Sequence, residues 1–384
     1  MQRSTGSRDP GIDLLRGLSI LLVVLHHIGL RIPLRHTALG AFLPPRLSSA
    51  LNYNGYEAVF VFFVISGFLI ARNSLRRWGS LGRLDYRAFY AMRFARIVPC
   101  LLALVAVLSL LHLLGAGDYA IHRPGQSLTG AAAAALGFYL NWYEGLLGYL
   151  PGNWDVLWSL SIEEVFYLGF PVVCLLTRRT AILLPLLVLL ALSLPYTHAA
   201  AAGNEIWQEK AYLPGMAAIA MGILAALTVE HAKTPRRGVA LALGLAGAFG
   251  LAAVFTVEDL LWSAWHDATL LLLTFSSAAL LLGMHWRGTR LPPGLSWFAG
   301  FGRLSYEIYL SHMFVVFTVV SLYKASGEVA LGWFWYPPAV LACWALGWLI
   351  ARGLSMPADA ALRRRLLRRP VAGSPSPLPA EATE

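Results

Sequence analysis

Ten apolar stretches, each long enough to cross a lipid bilayer, dominate the sequence. Each runs for about 17 to 22 residues, the length that a helix needs to span the hydrocarbon core. Hydrophobic residues make up 58% of the 384-residue chain and charged residues only 13%, which lies outside the range of soluble domains. The sequence therefore predicts an all-α fold, a polytopic membrane bundle of about ten transmembrane helices. These stretches begin near residues 12, 55, 97, 157, 180, 211, 239, 265, 304 and 335.

An eleventh apolar stretch, residues 127–142, is short and rich in alanine. The positive-inside rule, by which Lys and Arg collect in cytoplasmic loops, indicates whether it crosses the membrane. If it crosses, every later basic loop lands on the wrong side. We therefore predict a re-entrant or interfacial segment within one external loop of about 116–156. The basic segments that then face the cytoplasm are 72–96, 178–179, 231–237, 285–290 and 363–369.

The predicted topology divides the chain into three parts. Residues 1–10 form a cytoplasmic segment, residues 11–356 form the membrane domain, and residues 357–384 form a cytoplasmic tail. This tail is basic and then, from Pro370, rich in Pro, Ala and Ser, a composition typical of disorder. The first apolar run is long and no small-residue cleavage site follows it, so we expect an anchor and not a cleaved signal peptide.

The three cysteines lie scattered through apolar runs, at Cys100, Cys174 and Cys343. Their spacing fits neither a zinc site nor a disulfide framework, so we expect buried apolar side chains and no metal. The net charge of +10 is explained by membrane orientation, because basic residues collect in cytoplasmic loops. No nucleic-acid partner is expected.

Two polar positions, Arg16 and His27, interrupt the first apolar stretch. Eleven residues of α-helix turn about 1100° and rise about 16 Å, so both side chains share one helix face. A cation and an imidazole are costly in lipid and should face the bundle interior or a wet cavity. His26 points about 100° away and is the weaker candidate. The spacing predicts a path with a charge at one end and an acid/base group further in.

The segment 72–96 carries seven arginines against one acid. Arginine binds phosphate through paired hydrogen bonds, so a phosphorylated cytosolic ligand such as coenzyme A would suit this surface. The alternative is a solvated loop that binds membrane lipid headgroups. That alternative is weaker for Arg93 and Arg96, because these two residues adjoin the next span. The seven are Arg72, Arg76, Arg77, Arg83, Arg87, Arg93 and Arg96.

Two later spans carry further polar side chains. Glu163 and Glu164 enter the fourth span together. A carboxylate near an imidazole can orient that ring or act as a second base. The alternative is that the two acids are there because a helix amino terminus favours negative charge. In the ninth span Ser305, Tyr309 and His312 follow at spacings of four and three and share one helix face. We interpret this trio first as a hydrogen-bonded polar seam between helices.

Together these motifs resemble the acyltransferase-3 family, integral-membrane enzymes that O-acylate bacterial surface polysaccharides, lipopolysaccharide, peptidoglycan and some macrolides. Arg16 and His27 match its pattern of Arg or Lys, ten residues, then His. The sequence departs from the family at Met92, Cys100 and Val165, where an arginine, an aromatic residue and a glutamine are common. The resemblance covers about residues 10–355. The motifs that carry it are residues 16–27, 62–70, 93–99, 158–167 and 305–312.

This resemblance implies transfer of an acyl group, most often acetyl from acetyl-CoA, to a hydroxyl of a carbohydrate or surface glycan. His27 would be the general base or would carry the acyl group covalently, and the residues do not choose between these roles. Glu163 or Glu164 would orient His27 or bind the acceptor. The resemblance also implies a multi-pass protein of the bacterial cytoplasmic membrane. The donor's phosphates would be held by Arg16, Arg72, Arg93 and Arg96.

Several alternatives remain open at this stage. The acceptor could be a macrolide or another small natural product, and the polar residues could instead mark the substrate path of a non-catalytic transporter. A structural or sensory membrane protein is the third interpretation. Because no extracytoplasmic hydrolase domain follows the last span, we expect the chain to complete transfer alone or to pass the acyl group to a separate protein.

Overall fold

The computed structural model describes residues 9–289 and 291–367, and within these ranges all regular secondary structure is helical. The first helix begins where the sequence provides a cap, because the Asp9 carboxylate accepts a hydrogen bond from the Gly11 amide at 3.1 Å and Pro10 occupies the first helical position. Residues 1–8 of the predicted amino-terminal segment and the tail from Pro370 lie outside the described residues.

Eighteen α-helices follow one another in the described part of the chain, joined by short turns and 3₁₀ segments. They are α1 Pro10–Gly29, α2 Pro45–Tyr53, α3 Gly55–Trp78, α4 Tyr86–Leu113, α5 Leu128–Leu136, α6 Leu140–Leu147, α7 Gly152–Asp155, α8 Trp158–Thr177, α9 Thr180–Leu192, α10 Leu194–Ala199, α11 Glu205–Lys210, α12 Tyr212–His231, α13 Arg237–Trp265, α14 Ala268–Arg287, α15 Ser296–Arg303, α16 Ser305–Ser326, α17 Tyr336–Ile350 and α18 Met356–Leu366. The 3₁₀ segments are Leu34–His36, Ala38–Ala41, Leu81–Arg83, Pro293–Leu295 and Val329–Trp335.

Nine stretches in the described residues are long and apolar enough to cross a membrane. A tenth apolar helix, α9, has only 13 residues, but α10 continues it after Ser193. Together α9 and α10 reach about 30 Å if straight, at 1.5 Å per residue. The prediction of a polytopic helical bundle with about ten spans is confirmed. If α9 and α10 together form a tenth crossing, Asp9 and Leu367 lie on the same side.

The stretch 127–142 forms two helices, α5 and α6, of nine and eight residues. Each is too short to span a bilayer, and the chain turns between them at Phe138, whose φ is 59°. This agrees with the prediction that the stretch does not cross. The buried face of α5 consists of three alanines, Ala131, Ala134 and Ala135, which let this helix pack closely against α4.

The last membrane helix continues beyond the domain boundary predicted at residue 356. A π-helical turn, Ala351–Ser355, joins α17 to α18 without a break. α18 then packs against α4, so the start of the predicted tail belongs to the bundle. The three cysteines are unpaired and buried, as predicted.

Contacts define two ends of the bundle. Near the start of α1, the Asp9 carboxylate lies 3.9 Å from Arg72 and 3.6 Å from the His285 imidazole, so the ends of α3 and α14 lie there too. We call this the basic end, because the arginine-rich loops lie at the same ends of these helices. Burial alone would raise the pKa of Asp9, but the nearby His285 imidazole and the charge of Arg72 hold it below its ordinary value.

At the opposite end, one buried lysine fastens the non-spanning segment to the bundle. The Lys210 ammonium donates to Glu144 at 2.8 Å and to Asp155, joining the segments that hold α6, α7 and α11. The other oxygen of Glu144 accepts from the Leu150 amide at 2.9 Å. Lys210 is 2% exposed and Glu144 is fully buried. Each of these two ions therefore offsets part of the cost of burying the other's charge.

Close helix packing positions the first span. A Cβ atom on Gly302 would overlap the carbonyl oxygen of Asp13, and one on Gly17 would overlap that of Phe298. Helices α1 and α15 therefore approach each other more closely than residues with side chains would allow. This contact holds the start of α16 beside Arg16, in the first half of α1.

Removal of the Lys210 charge is expected to destabilise the protein strongly. In Lys210→Met the Glu144 carboxylate stays buried without its counter-ion, which should cost about 3–5 kcal/mol and lower Tm in detergent. Lys233→Met serves as the control, because Lys233 is exposed in the loop after α12. Equal Tm values for the two variants would contradict this description of the cluster.

The two glycines of α15 should respond differently to alanine. Gly302→Ala forces α15 away from α1 and should cost about 1–3 kcal/mol of stability, as overpacking usually does. In Gly300→Ala the nearest neighbouring atom would lie 3.6 Å from the new Cβ. This substitution should therefore be neutral, or stabilising because alanine favours helix more than glycine does. Thermal unfolding measures both, and similar losses would argue against the close α1–α15 contact.

Candidate active site

An arginine-lined cavity of about 940 Å³ opens into the basic half of the bundle between α1, α3, α4, α8 and α15 to α18. Its arginines outnumber its three acids, Glu163, Glu307 and Asp359, by two to one. The cavity therefore carries a net positive charge and suits an anionic ligand. The arginines that line it are Arg16, Arg93, Arg96, Arg303, Arg352 and Arg363.

Arg16 lies in this cavity, as its position in α1 predicts. Its guanidinium donates to the Ser305 hydroxyl at 2.8 Å, which joins α1 to the first residue of α16. The close α1–α15 packing makes this contact geometrically possible, because α15 leads directly into α16. Two residues predicted on separate motifs are thus brought together.

Arg93 and Arg96 line the cavity from α4, but their surroundings differ. Arg93 stacks over the ring of Tyr167 at 4.6 Å. Arg96 forms an ion pair with Glu307 at 2.7 Å and donates to the Ser355 hydroxyl at 2.7 Å. Since Glu307 is 1% exposed, Arg96 is already neutralised by a buried acid.

Arg72 is not brought to this cavity. Its guanidinium lies near Asp9 and over the ring of Phe68 at 5.8 Å, so it links the ends of α1 and α3. The density of arginines in residues 72–96 and the family resemblance together grouped Arg72 with Arg93 and Arg96. The bundle separates them, because α3 directs Arg72 toward the start of α1 whereas α4 lines the cavity.

The two adjacent carboxylates of α8 have different surroundings. Glu163 lines the cavity, where Arg93, Arg16 and the Ser66 hydroxyl act on its carboxylate. Glu164 is buried outside the cavity lining and one of its oxygens has no hydrogen-bond partner among the described residues. Glu163 thus lies with the cavity arginines and not with the imidazole that it was predicted to orient.

A pair of imidazoles lies beyond the inner end of the cavity. The rings of His27 and His312 are 5.0 Å apart between centroids, tilted by 40°. His312 is fully buried, whereas His27 retains a partly accessible surface. His26 packs against Gly55 of α3 instead, in agreement with its weaker candidacy. The structure therefore adds His312, predicted only as part of a seam, to the immediate surroundings of His27.

The predicted seam on α16 contacts three different partners. Ser305 accepts from Arg16, and the Tyr309 hydroxyl accepts from Ser159 at 2.7 Å and donates to the Val156 carbonyl at 2.9 Å. Tyr309 also lines the inner end of the cavity, and its ring centroid lies 5.9 Å from that of His312. Tyr309 therefore stands between the arginine-lined cavity and the histidine pair.

Several lining residues were not singled out from the sequence. Ser66 and Tyr167, whose hydroxyls are hydrogen-bonded to each other, lie inside motifs that carried the resemblance, so those motifs could have identified them. Arg303, Arg352 and Arg363 had no comparable signal. They reach the cavity only because α15 and α18 fold back against the bundle.

Comparisons with known proteins agree with this architecture. The acyltransferase-3 family model, described as an acyltransferase domain, matches residues 9–352. The chain is 27% identical to the peptidoglycan O-acetyltransferase OatA of Listeria monocytogenes over 54% of this chain and 29% of that protein. It is 27% identical to the O-acetyltransferase OatA of Staphylococcus aureus strain NCTC 8325 over 43% of this chain and 24% of that protein.

A putative O-acetyltransferase of Staphylococcus aureus strain COL is 28% identical over 43% of this chain and 24% of its own length. The chain thus matches less than a third of the length of these relatives. No solved structure matches the chain. Because the family model covers nearly all of the membrane bundle, this chain belongs to the acyltransferase-3 family of multi-pass membrane proteins.

Proposed function

We propose that the protein is an O-acyltransferase that moves an acetyl group from acetyl-CoA to a hydroxyl of a carbohydrate acceptor. The observation that carries the proposal is the continuity of the site. An arginine-lined cavity ends at Tyr309, whose ring contacts His312, and His312 contacts His27. The relatives named O-acetyltransferases support the same chemistry.

The cavity suits the donor in size and charge. Its volume of about 940 Å³ lies within the range of about 300–1,000 Å³ that ligand sites occupy. Coenzyme A carries its charge on phosphates, which arginine binds through paired, charge-assisted hydrogen bonds. Arg16, Arg93 and Arg96 would hold these phosphates, whereas Arg72 is left out because it lies beside Asp9.

The donor would enter from the basic end. Positive charge in the loops favours a cytoplasmic position for that end, and acyl-CoA is a cytosolic metabolite. Both ends of the described chain would then face the cytoplasm of a bacterial inner membrane. From Arg16 the pantetheine arm would extend along α1, over the rise of about 16 Å that separates Arg16 from His27.

The transfer step needs one base and one acyl donor. An unprotonated nitrogen of His27 would take the proton from the acceptor hydroxyl while the hydroxyl oxygen attacks the thioester carbonyl carbon. The carbon–sulfur bond breaks, the ester remains on the acceptor, and the coenzyme A thiolate leaves. The His27 imidazolium then returns the proton to that thiolate, which regenerates the neutral base and releases coenzyme A as a thiol.

The acceptor would approach from the opposite end. There the Arg31 guanidinium donates to the His27 carbonyl at 2.9 Å and stacks over Phe317 at 4.9 Å. Tyr119 packs edge-on against the same Phe317 ring at 5.6 Å, and the half-buried Asp155 lies close enough for its charge to act on Arg31. Guanidinium and carboxylate groups bind hydroxyls, so these side chains support a carbohydrate acceptor, as the name of the Listeria relative also does.

Loss of one cavity arginine should weaken donor binding. In Arg93→Ala the KM for acetyl-CoA should rise about 10-fold or more, since a charged hydrogen bond contributes about 1.5–3 kcal/mol. The kcat should change little, because Arg93 would bind the substrate and the transition state equally. Arg87→Ala is the matched control, because Arg87 lies exposed on the same helix. A KM that rises equally in both variants would contradict the cavity as the donor site.

Loss of the His27 imidazole should abolish transfer without abolishing donor binding. Purified wild type, incubated with radiolabelled acetyl-CoA and a panel of oligosaccharide and peptidoglycan-fragment acceptors, should consume thioester and form acetyl ester. His27→Ala should be slower by about 10²–10⁴-fold, the usual contribution of a general base. Label that remains on wild-type protein, and not on His27→Ala, would indicate a covalent acyl carrier. An inactive wild type with every acceptor would contradict the proposed function.

A further inference from the structure

We propose that His312 is a positioning residue for His27, a role that rests on the proposed function of His27 as the base. The unprotonated Nε2 of His312 would accept the inner N–H of His27, and so keep the other His27 nitrogen free of a proton where the substrates meet. His312 would therefore position His27, a role beyond its place in the polar seam that its spacing suggests.

The hydrogen bonds of His312 fix its tautomer. Its Nδ1 atom lies 2.7 Å from the carbonyl oxygen of Tyr309 and 3.3 Å from that of Ile308. A carbonyl oxygen can only accept a hydrogen bond, so Nδ1 must carry the proton. In a neutral imidazole the second nitrogen, Nε2, is then an acceptor with a free lone pair.

That lone pair is buried and has no hydrogen-bond partner among the described residues. A buried polar atom that stays unpaired is destabilising, so an acceptor in this position requires a donor. The neighbouring polar ring is His27, at 5.0 Å between centroids and tilted by 40°. A rotation of the His27 ring turns one of its nitrogens toward Nε2 and satisfies that acceptor.

The different burial of the two rings separates their roles. His312 is 0% exposed and therefore cannot meet a substrate, whereas His27 keeps an accessible surface. The Arg31 guanidinium donates to the backbone carbonyl of His27 at 2.9 Å. His27 is thus placed to act on the acceptor, and His312 to act on His27.

A neutral partner suits this part of the bundle. During transfer His27 takes the hydroxyl proton on its outer nitrogen and becomes an imidazolium with two N–H groups. Its inner N–H donates to the lone pair of His312, which stabilises that cation while His312 itself stays neutral and keeps its own proton on Nδ1. When His27 returns the proton to the thiolate, both rings regain their starting tautomers and no net proton remains.

The carboxylate that the sequence predicted for this place lies elsewhere. Glu163 is near Arg16 and Arg93, where its charge is compensated, and a carboxylate buried without such partners is costly. An imidazole held by two backbone carbonyls supplies an acceptor without adding a charge.

The test compares two substitutions of similar size at position 312. Gln retains an acceptor oxygen at about the same distance from the backbone as Nε2 of the imidazole, whereas the thioether sulfur of Met is only a weak acceptor. Both lose the ring and its Nδ1 proton, so they control for each other's packing effects. The kcat and the KM for acetyl-CoA are measured for His312→Gln and His312→Met in detergent, together with Tm.

We expect His312→Met to lower kcat by about 100-fold or more with the KM for acetyl-CoA nearly unchanged, and His312→Gln to recover at least about 10-fold of that loss. Wild-type kcat in His312→Met, or equal losses in both variants, would overturn the role of the acceptor. An inactive wild type would instead contradict the proposed function on which it rests.

A second measurement does not depend on turnover. Solid-state NMR of protein labelled with ¹⁵N-histidine distinguishes the two neutral tautomers of an imidazole, and the His27 signal is assigned by its loss in His27→Ala. Wild type should show one His27 tautomer, and His312→Met should show a mixture. A single unchanged tautomer in His312→Met would overturn the inference even if activity falls.

Discussion

The close contact between α1 and α15 determines the geometry of the whole site. Because Gly17 and Gly302 carry no side chains, the two helices pack backbone to backbone, and α16 starts beside the first half of α1. That arrangement brings Ser305 to Arg16 and, two turns further along α16, His312 to His27. A wider spacing of the helices would separate both pairs at once. The residues of the site are therefore placed by two glycines that do no chemistry.

The cost of burying charge explains how the remaining polar groups are distributed. Glu307 is paired with Arg96, Glu144 with Lys210, and Glu163 lies among the arginines of the cavity. Each of these three carboxylates gains a cationic partner that offsets part of its desolvation. The histidine pair occupies the region between the cavity and the opposite end. Under the proposed function, a positively charged compartment for an anionic donor would lie apart from a neutral compartment for proton transfer.

The sequence was sufficient to predict the helical bundle, the non-crossing stretch before α7, and the shared face of Arg16 and His27, because these depend on local periodicity and on the length of apolar runs. It could not show which motifs meet, since that depends on helix packing. Arg72 and Arg93 are close in sequence but belong to different clusters, whereas His27 and His312 are far apart in the chain and lie together. Arg352 and Arg363 reach the cavity through a π-helical turn that no spacing rule predicts.

The continuity between the arginine-lined cavity and the histidine pair can be tested by one structure, that of the protein bound to a non-hydrolysable acetyl-CoA analogue. Electron cryomicroscopy in a lipid nanodisc would locate the analogue. We expect phosphate density beside Arg16 and Arg93, and the acyl carbon about 4–6 Å from a ring nitrogen of His27, which leaves room for an acceptor hydroxyl between them. Density for the analogue outside the cavity, or an acyl group more than about 10 Å from His27, would contradict the proposed role of His27.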